Sequence, residues 1–273
     1  MPRVETIEAL AEAVQAFDAT PLGLQVDPEA DAAVRESLQR TGLVLLGERH
    51  GIEQTPVLVA ELITWFGLGG IALEWDANLR PWLDRWLTDG VLVDPARGDP
   101  AMQVWGGDGR LTAGHLAALR RWGAAGLLIN LMEGTPAVRP RPGESEEEMA
   151  RRWWSERDVV MAGRVLAVPD APGGWLVVAG DLHTRLKPLP ATDPTAAHIG
   201  VPMGVELARR RPGLHSIQCA YGAGQFYNLG PRCSRGNPNM RYGEGARLVM
   251  QQNELVLEVP SPREATVPHR EIP

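Results

Sequence analysis

Apolar residues in this chain fall into two patterns, short unbroken runs and longer stretches with helical spacing. The stretches at 43–46, 71–74, 126–132 and 175–179 read as strands, with the apolar runs buried. Residues 215–221 alternate and read as a further strand. Helical spacing appears over 5–17 through Ile7, Leu10, Ala11 and Val14, and again over 28–38. A third helix starts near Pro56, with Val59, Leu62, Ile63 and Phe66 as its core face. Leu79, Trp82, Leu83, Trp86 and Leu87 mark a fourth, residues 113–122 a fifth, and residues 205–208 a short late one. Ser145 and Glu148 form a capping box at the head of a long helix, whose inward stripe is Met149, Trp153, Arg157, Val160, Met161 and Val165. Residues 246–250 and 254–259 predict a terminal hairpin around Gln-Gln-Asn.

Strands alternating with helices predict an α/β fold: a mostly parallel central sheet flanked by helices, with a C-terminal antiparallel hairpin. No fixed-period repeat or dividing linker interrupts the chain, so one domain over residues 1–273 is expected. Residues 88–112, rich in Gly, Asp and Pro, read as a long binding loop or lid. Residues 134–143 read as a stiff connector, 228–245 as a surface loop and 260–273 as a frayed tail.

Two strands end in the same way. Residues 43–46 stop at Gly47-Glu48-Arg49-His50, and residues 175–179 stop at Gly180-Asp181-Leu182-His183. Parallel strands end on one sheet edge, where ligands collect, so this repeated wording brings two imidazoles to one place. The run at 71–73 ends in a carboxylate, Glu74. Arg157 lies on a buried helix stripe, where a guanidinium needs a carboxylate partner. The candidate site is therefore Glu48, His50, Glu74, Arg157 and His183. Such a set suits activation of water by an imidazole that a carboxylate holds, with cations beside the developing oxyanion. The same groups could instead hold a divalent metal, with His50, His183 and Glu48 as ligands. Two imidazoles without a thiolate are few for a tight site, and Arg157 opposes a second cation, so the expectation is no bound metal. Asp76 and Asp181 are spare oxygens that read equally as loop caps or as ligands, and His115, His198, His215 and His269 read as structural.

Composition narrows the partners. The net charge of −7 comes without a basic stripe, which argues against nucleic acid. No run of 18 apolar residues exists to cross a membrane, and the first residues lack a signal core or early cysteine, so a cytoplasmic protein is expected. The expected partner is a small-molecule or peptide substrate. Cys219 and Cys233 are read as free thiols, with Cys219 packed in a strand. No Gly-x-Ser-x-Gly elbow, phosphate loop or dinucleotide fingerprint occurs.

The order of motifs resembles the superfamily of erythromycin esterases, ChaN, TraB and TIKI proteins. The resemblance rests on Leu-Leu-Gly-Glu-Arg-His-Gly to residue 51, the strand ending in Glu74, Glu156-Arg-Asp-Val-Val-Met-Ala162 and Val177-Val-Ala-Gly-Asp-Leu-His183. Pro202-Met-Gly204 and Gly222-x-Gly-Gln-Phe226 are similar to the esterase branch. The likeness spans about residues 40–228. The spacing from Glu48 to His50 is that of ChaN, TraB and TIKI, one residue shorter than is usual in the esterases. The resemblance implies an α/β fold with both histidine motifs in one site. By branch it implies metal-independent hydrolysis of an ester or lactone, haem binding, or metal-dependent peptide cleavage. The expectation carried forward is a hydrolase of an ester, lactone or amide that uses His-activated water without a covalent intermediate, with a haem- or metal-binding protein, or a metal-dependent peptidase, as the alternative.

Overall fold

A computed structural model of the protein describes residues 3–93, 108–134, 141–190, 192–193, 200–228, 231–236 and 242–268. Twelve strands are formed among these: β1 (Arg3–Val4), β2 (Gln25–Val26), β3 (Leu43–Glu48), β4 (Gly70–Asp76), β5 (Leu128–Glu133), β6 (Trp175–Gly180), β7 (Ser216–Tyr221), β8 (Ala223–Tyr227), β9 (Pro231–Arg235), β10 (Arg247–Gln251), β11 (Glu254–Val259) and β12 (Val267–Pro268). The helices are α1 (Ile7–Gln15), α2 (Pro28–Thr41), α3 (Thr55–Phe66), α4 (Arg80–Asp89), α5 (Ala113–Ala124), α6 (Glu146–Leu166) and α7 (Met203–Arg210).

Eight strands form the main sheet in the order β2-β10-β11-β7-β3-β6-β4-β5. Every pairing in it is parallel except β10 with β11, the predicted hairpin. All six residues of β3 and all six of β6 are buried, as their unbroken apolar runs require. Successive side chains leave a strand on opposite faces, and the core divides accordingly. Val44, Leu46, Leu176 and Val178 pack with α1 to α5 through Leu10, Val34, Leu62, Leu83 and Leu116. Leu43, Leu45, Val177 and Ala179 pack with α6 and α7 through Met161, Val165, Met203 and Leu207. Burying each large apolar side chain contributes about 1.5–3 kcal/mol.

The capping box of α6 is in place: Glu148 N–H donates to Ser145 Oγ, and Ser145 N–H donates to Glu148 Oε2. Two expectations are corrected. Within 228–245, residues 231–235 are a strand paired antiparallel with β8, although Pro, Arg, Cys and Ser give no apolar alternation. The supposed frayed tail is docked as far as residue 268. Ala265 and Val267 are buried, β12 pairs with β1, and Ala265 N–H donates to the Gly51 carbonyl. Much of the predicted 88–112 loop, the connector at 135–140, His198 and His269 lie outside the described residues.

Candidate active site

Because β3, β6, β4 and β5 are parallel neighbours, their C-terminal ends share one edge. In register, Glu48 faces Gly180, and Asp76 faces Glu133. Helix α6 buries Arg157 and Asp158 on the face that also carries Met161, Ala162 and Val165. The five candidate side chains come together here.

His50 sits between two carboxylates. Its Nδ1 lies 2.6 Å from Glu48 Oε1, and its Nε2 lies 3.7 Å from Glu74 Oε2. Glu74 is in turn tied down on both oxygens. Oε2 accepts the Gly180 N–H at 2.7 Å, and Oε1 accepts from Arg157 Nη2. Arg157 gives its other donors to Glu133 Oε1, 2.6 Å from Nε, and to His183 Nε2, 3.1 Å from Nη1. A guanidinium only donates, so His183 Nε2 accepts. Nδ1 then carries the proton and donates it to Asp158, 2.8 Å away. Asp158 also accepts the Met203 N–H at 2.8 Å, and Gly204 N–H donates to the His183 carbonyl. The Pro202-Met203-Gly204 segment therefore anchors the second histidine from behind.

Sequence reasoning missed four members of this cluster. Glu133 ends β5 as Glu74 ends β4, and that strand-end position was a usable signal. Asp158 was inside a quoted motif but overshadowed by its neighbour Arg157. Arg110 pairs with Glu133, Glu74 and Asp108. Arg110 and Asp108 lie in the aperiodic loop, where no pattern marks them.

Charge follows this geometry. Burial disfavours an imidazolium at His50, but the Glu48 charge and hydrogen bond, with Glu74 and Asp108, outweigh it and raise the His50 pKa to about 9. Burial likewise opposes ionisation of Glu74, yet the positive charges around it at Arg157, His50 and Arg110 hold its carboxyl well below the usual range. Burial works against charge on Arg157 too, and Glu74 and Glu133 reverse that. His115 is different. Burial pulls it down to about 4, and its ring packs edge-on to Trp75 beside the Thr112 hydroxyl, a structural role. Burial pushes the Cys219 thiol up to about 12, which suits a packed residue and not a nucleophile. Among the described residues, no group of three His, Cys, Asp or Glu is arranged to hold a metal ion. No described helix is long and apolar enough to cross a membrane.

Two glycines explain the motif spelling. Gly51 has φ of +74°, and its carbonyl accepts from Tyr227 and Ala265 while its N–H donates to the Gly109 carbonyl. Three distant segments thus lock the residue after His50. Gly180 is constrained by approach: a Cβ there would lie 3.2 Å from His50 Nε2 and 3.5 Å from His183 Cδ2. Gly180→Ala is expected to leave the melting temperature close to wild type while lowering kcat/KM about tenfold or more through displaced imidazoles. A melt and a kinetic assay on the same preparation check this, and unchanged kinetics would place the reaction away from Gly180.

No family profile matches the sequence. A methionyl-tRNA formyltransferase from a Nocardioides species is 38% identical over 92 residues, 30% of this chain and only 28% of that protein's length. Solved structures are similar over nearly the whole chain. A Bacillus cereus protein superposes with a TM-score of 0.58 at 10% identity, over 97% of this chain and 100% of that one. A succinoglycan biosynthesis protein gives 0.57 at 10% identity, over 94% and 98%. A mutant of the erythromycin esterase EreC in its open conformation gives 0.52 at 13% identity, over 88% and 95%. The chain thus has the fold of the erythromycin esterases, in keeping with the superfamily that its order of motifs resembles.

Proposed function

We propose that the protein hydrolyses an ester, lactone or amide in a small molecule or peptide, using water activated by His50, with no covalent enzyme intermediate. The observation that carries this reading is the Glu48–His50–Glu74 array, an imidazole held at one nitrogen and open toward a second carboxylate at the sheet edge. The likeness to an erythromycin esterase fold supports a hydrolase in general terms.

In the proposed reaction Glu48 accepts a hydrogen bond from Nδ1–H and fixes the ring, leaving Nε2 to take a proton from water. The water oxygen forms a bond to the carbonyl carbon, and the carbonyl becomes an oxyanion near the charge of Arg110 and Arg157. Collapse breaks the bond to the leaving group, which receives the proton from His50 Nε2. Arg157 acts as a positioning residue, because its donors are already given to Glu74, Glu133 and His183. Glu74 and His183 hold the wall opposite His50.

The proposed reaction uses no metal. His50, His183 and Glu48 do not fit one well, because Asp158 and Arg157 occupy both ring nitrogens of His183, which leaves His50 Nε2 as the one open imidazole nitrogen of the set. A panel of esters, lactones and short peptides tests the proposal, run with EDTA and with added Mn, Co or Zn. Turnover of an ester or lactone that EDTA leaves intact is expected. Activity lost to EDTA and restored by one ion would overturn the metal-free reaction and favour the peptidase alternative.

A further inference from the structure

Arg49 stands between Glu48 and His50, yet it takes no part in the network above. Its backbone N–H donates to the Tyr221 hydroxyl at 3.2 Å. Its guanidinium lies over two rings, with Cζ 5.4 Å from the centre of Tyr221 and 4.9 Å from that of Phe226. Nη1 donates to Ser234 Oγ at 3.3 Å. Tyr221 and Ser234 are both buried. The side chain is therefore held in one place by β7, β8 and β9, three elements that meet at the reactive edge.

What the guanidinium lacks is an anion. Among the described residues no carboxylate comes within salt-bridge reach of it, although the chain is acidic and most arginines around the site are paired. Aromatic faces attract a cation, but they do not neutralise it or use its in-plane N–H donors. Among the described residues one of its five donors is engaged, by Ser234. A planar fork of this kind matches a carboxylate or phosphate. The two neighbouring side chains also leave the strand end in opposite directions. His50 points to Glu74 on the β4 side, and Arg49 points to the β7–β8 side.

We propose that Arg49 is an anion-recognition residue that holds a carboxylate- or phosphate-bearing end of the substrate while the scissile acyl group lies at His50. This rests on the hydrolase reading and narrows it to acidic substrates. The test compares monomethyl glutarate with neutral dimethyl glutarate, and with the methyl ester of 4-phosphonobutyrate, on wild type, Arg49→Met and Arg49→Lys. Calorimetric binding of glutarate to each protein runs alongside and needs no turnover.

In wild type an anionic ester is expected to be preferred by roughly 10- to 100-fold in kcat/KM, carried by KM, as charge-assisted hydrogen bonds allow. Which of the two acids is preferred tells carboxylate from phosphate. Arg49→Met should collapse the preference to about one, and Arg49→Lys should keep part of it. Hydrolysis of all three esters at similar efficiency by wild type would overturn the anion site and leave the hydrolase standing. Glutarate binding that Arg49→Met weakens, without hydrolysis of any ester, would keep the anion site and sink the hydrolase. Equal glutarate binding by wild type and Arg49→Met would overturn the proposal, and the wild-type comparison holds even if a variant fails to fold.

Discussion

Replacing His50 with Asn is expected to lower kcat/KM by about 10²–10⁴, the range in which a positioned general base acts. An amide retains a hydrogen bond to Glu48 but offers no basic nitrogen where Nε2 stood. The second imidazole and the carboxylate nearest Nε2 are both already engaged. His183 has Nδ1 on Asp158 and Nε2 on Arg157. Glu74 has one oxygen on the Gly180 N–H and the other on Arg157. His183→Asn should therefore give a smaller loss, acting through the position of Arg157. Steady-state kinetics on both variants, normalised to folded protein, check the order. Near wild-type turnover by the His50→Asn variant would remove His50 from the chemistry.

The second large effect is on stability. Arg157 binds Glu74, Glu133 and His183 at once from a nearly fully buried position. The neighbourhood is rich in acids, with Glu48, Glu74, Glu133, Asp108 and Asp158 around two arginines and His50. Arg157→Leu leaves the buried Glu74 and the partly buried Glu133 short of a partner, an expected cost of about 3–5 kcal/mol. Native proteins are stable by only about 5–15 kcal/mol, so the variant should be near the limit of folding at ambient temperature. Glu74→Gln should cost less. Its amide can still accept from Gly180, Arg157 keeps Glu133, and the local excess of negative charge falls. Urea unfolding of the two variants decides. Equal stability, or a more fragile Glu74→Gln protein, would show that the cluster is not governed by a shortage of cations.

The parts of this arrangement that were legible in the sequence share one property: their position follows from local syntax. A strand that ends in Gly, acid, any residue, His delivers its imidazole to the sheet edge wherever the partner strands are, so Glu48, His50 and His183 could be placed together. Glu74 followed for the same reason, and Arg157 from its place on an apolar stripe. Arg110 and Asp108 belong to a stretch without periodicity, and only the tertiary path of the chain brings them to Glu133. The β9 strand was hidden because its pairing with β8 satisfies backbone groups and needs no apolar face. The docked tail was hidden because its reason lies far away, in the Gly51 carbonyl and in the edge of β1.

The pH dependence of kcat/KM tests the role of His50 most directly. The sign follows from the raised pKa. Imidazolium at His50 contributes stability fully below its ordinary value near 6.5, and this is lost as pH rises through about 9. The base form gains the same ground in the opposite direction. Glu74 contributes stability above the ordinary carboxylate range and loses it only at strongly acid pH, so it does not interfere. With EDTA present, log kcat/KM on an ester should rise with unit slope between about pH 6 and 8 and level off near 9. A flat profile over that range, or one that falls with rising pH, would contradict water activation by His50.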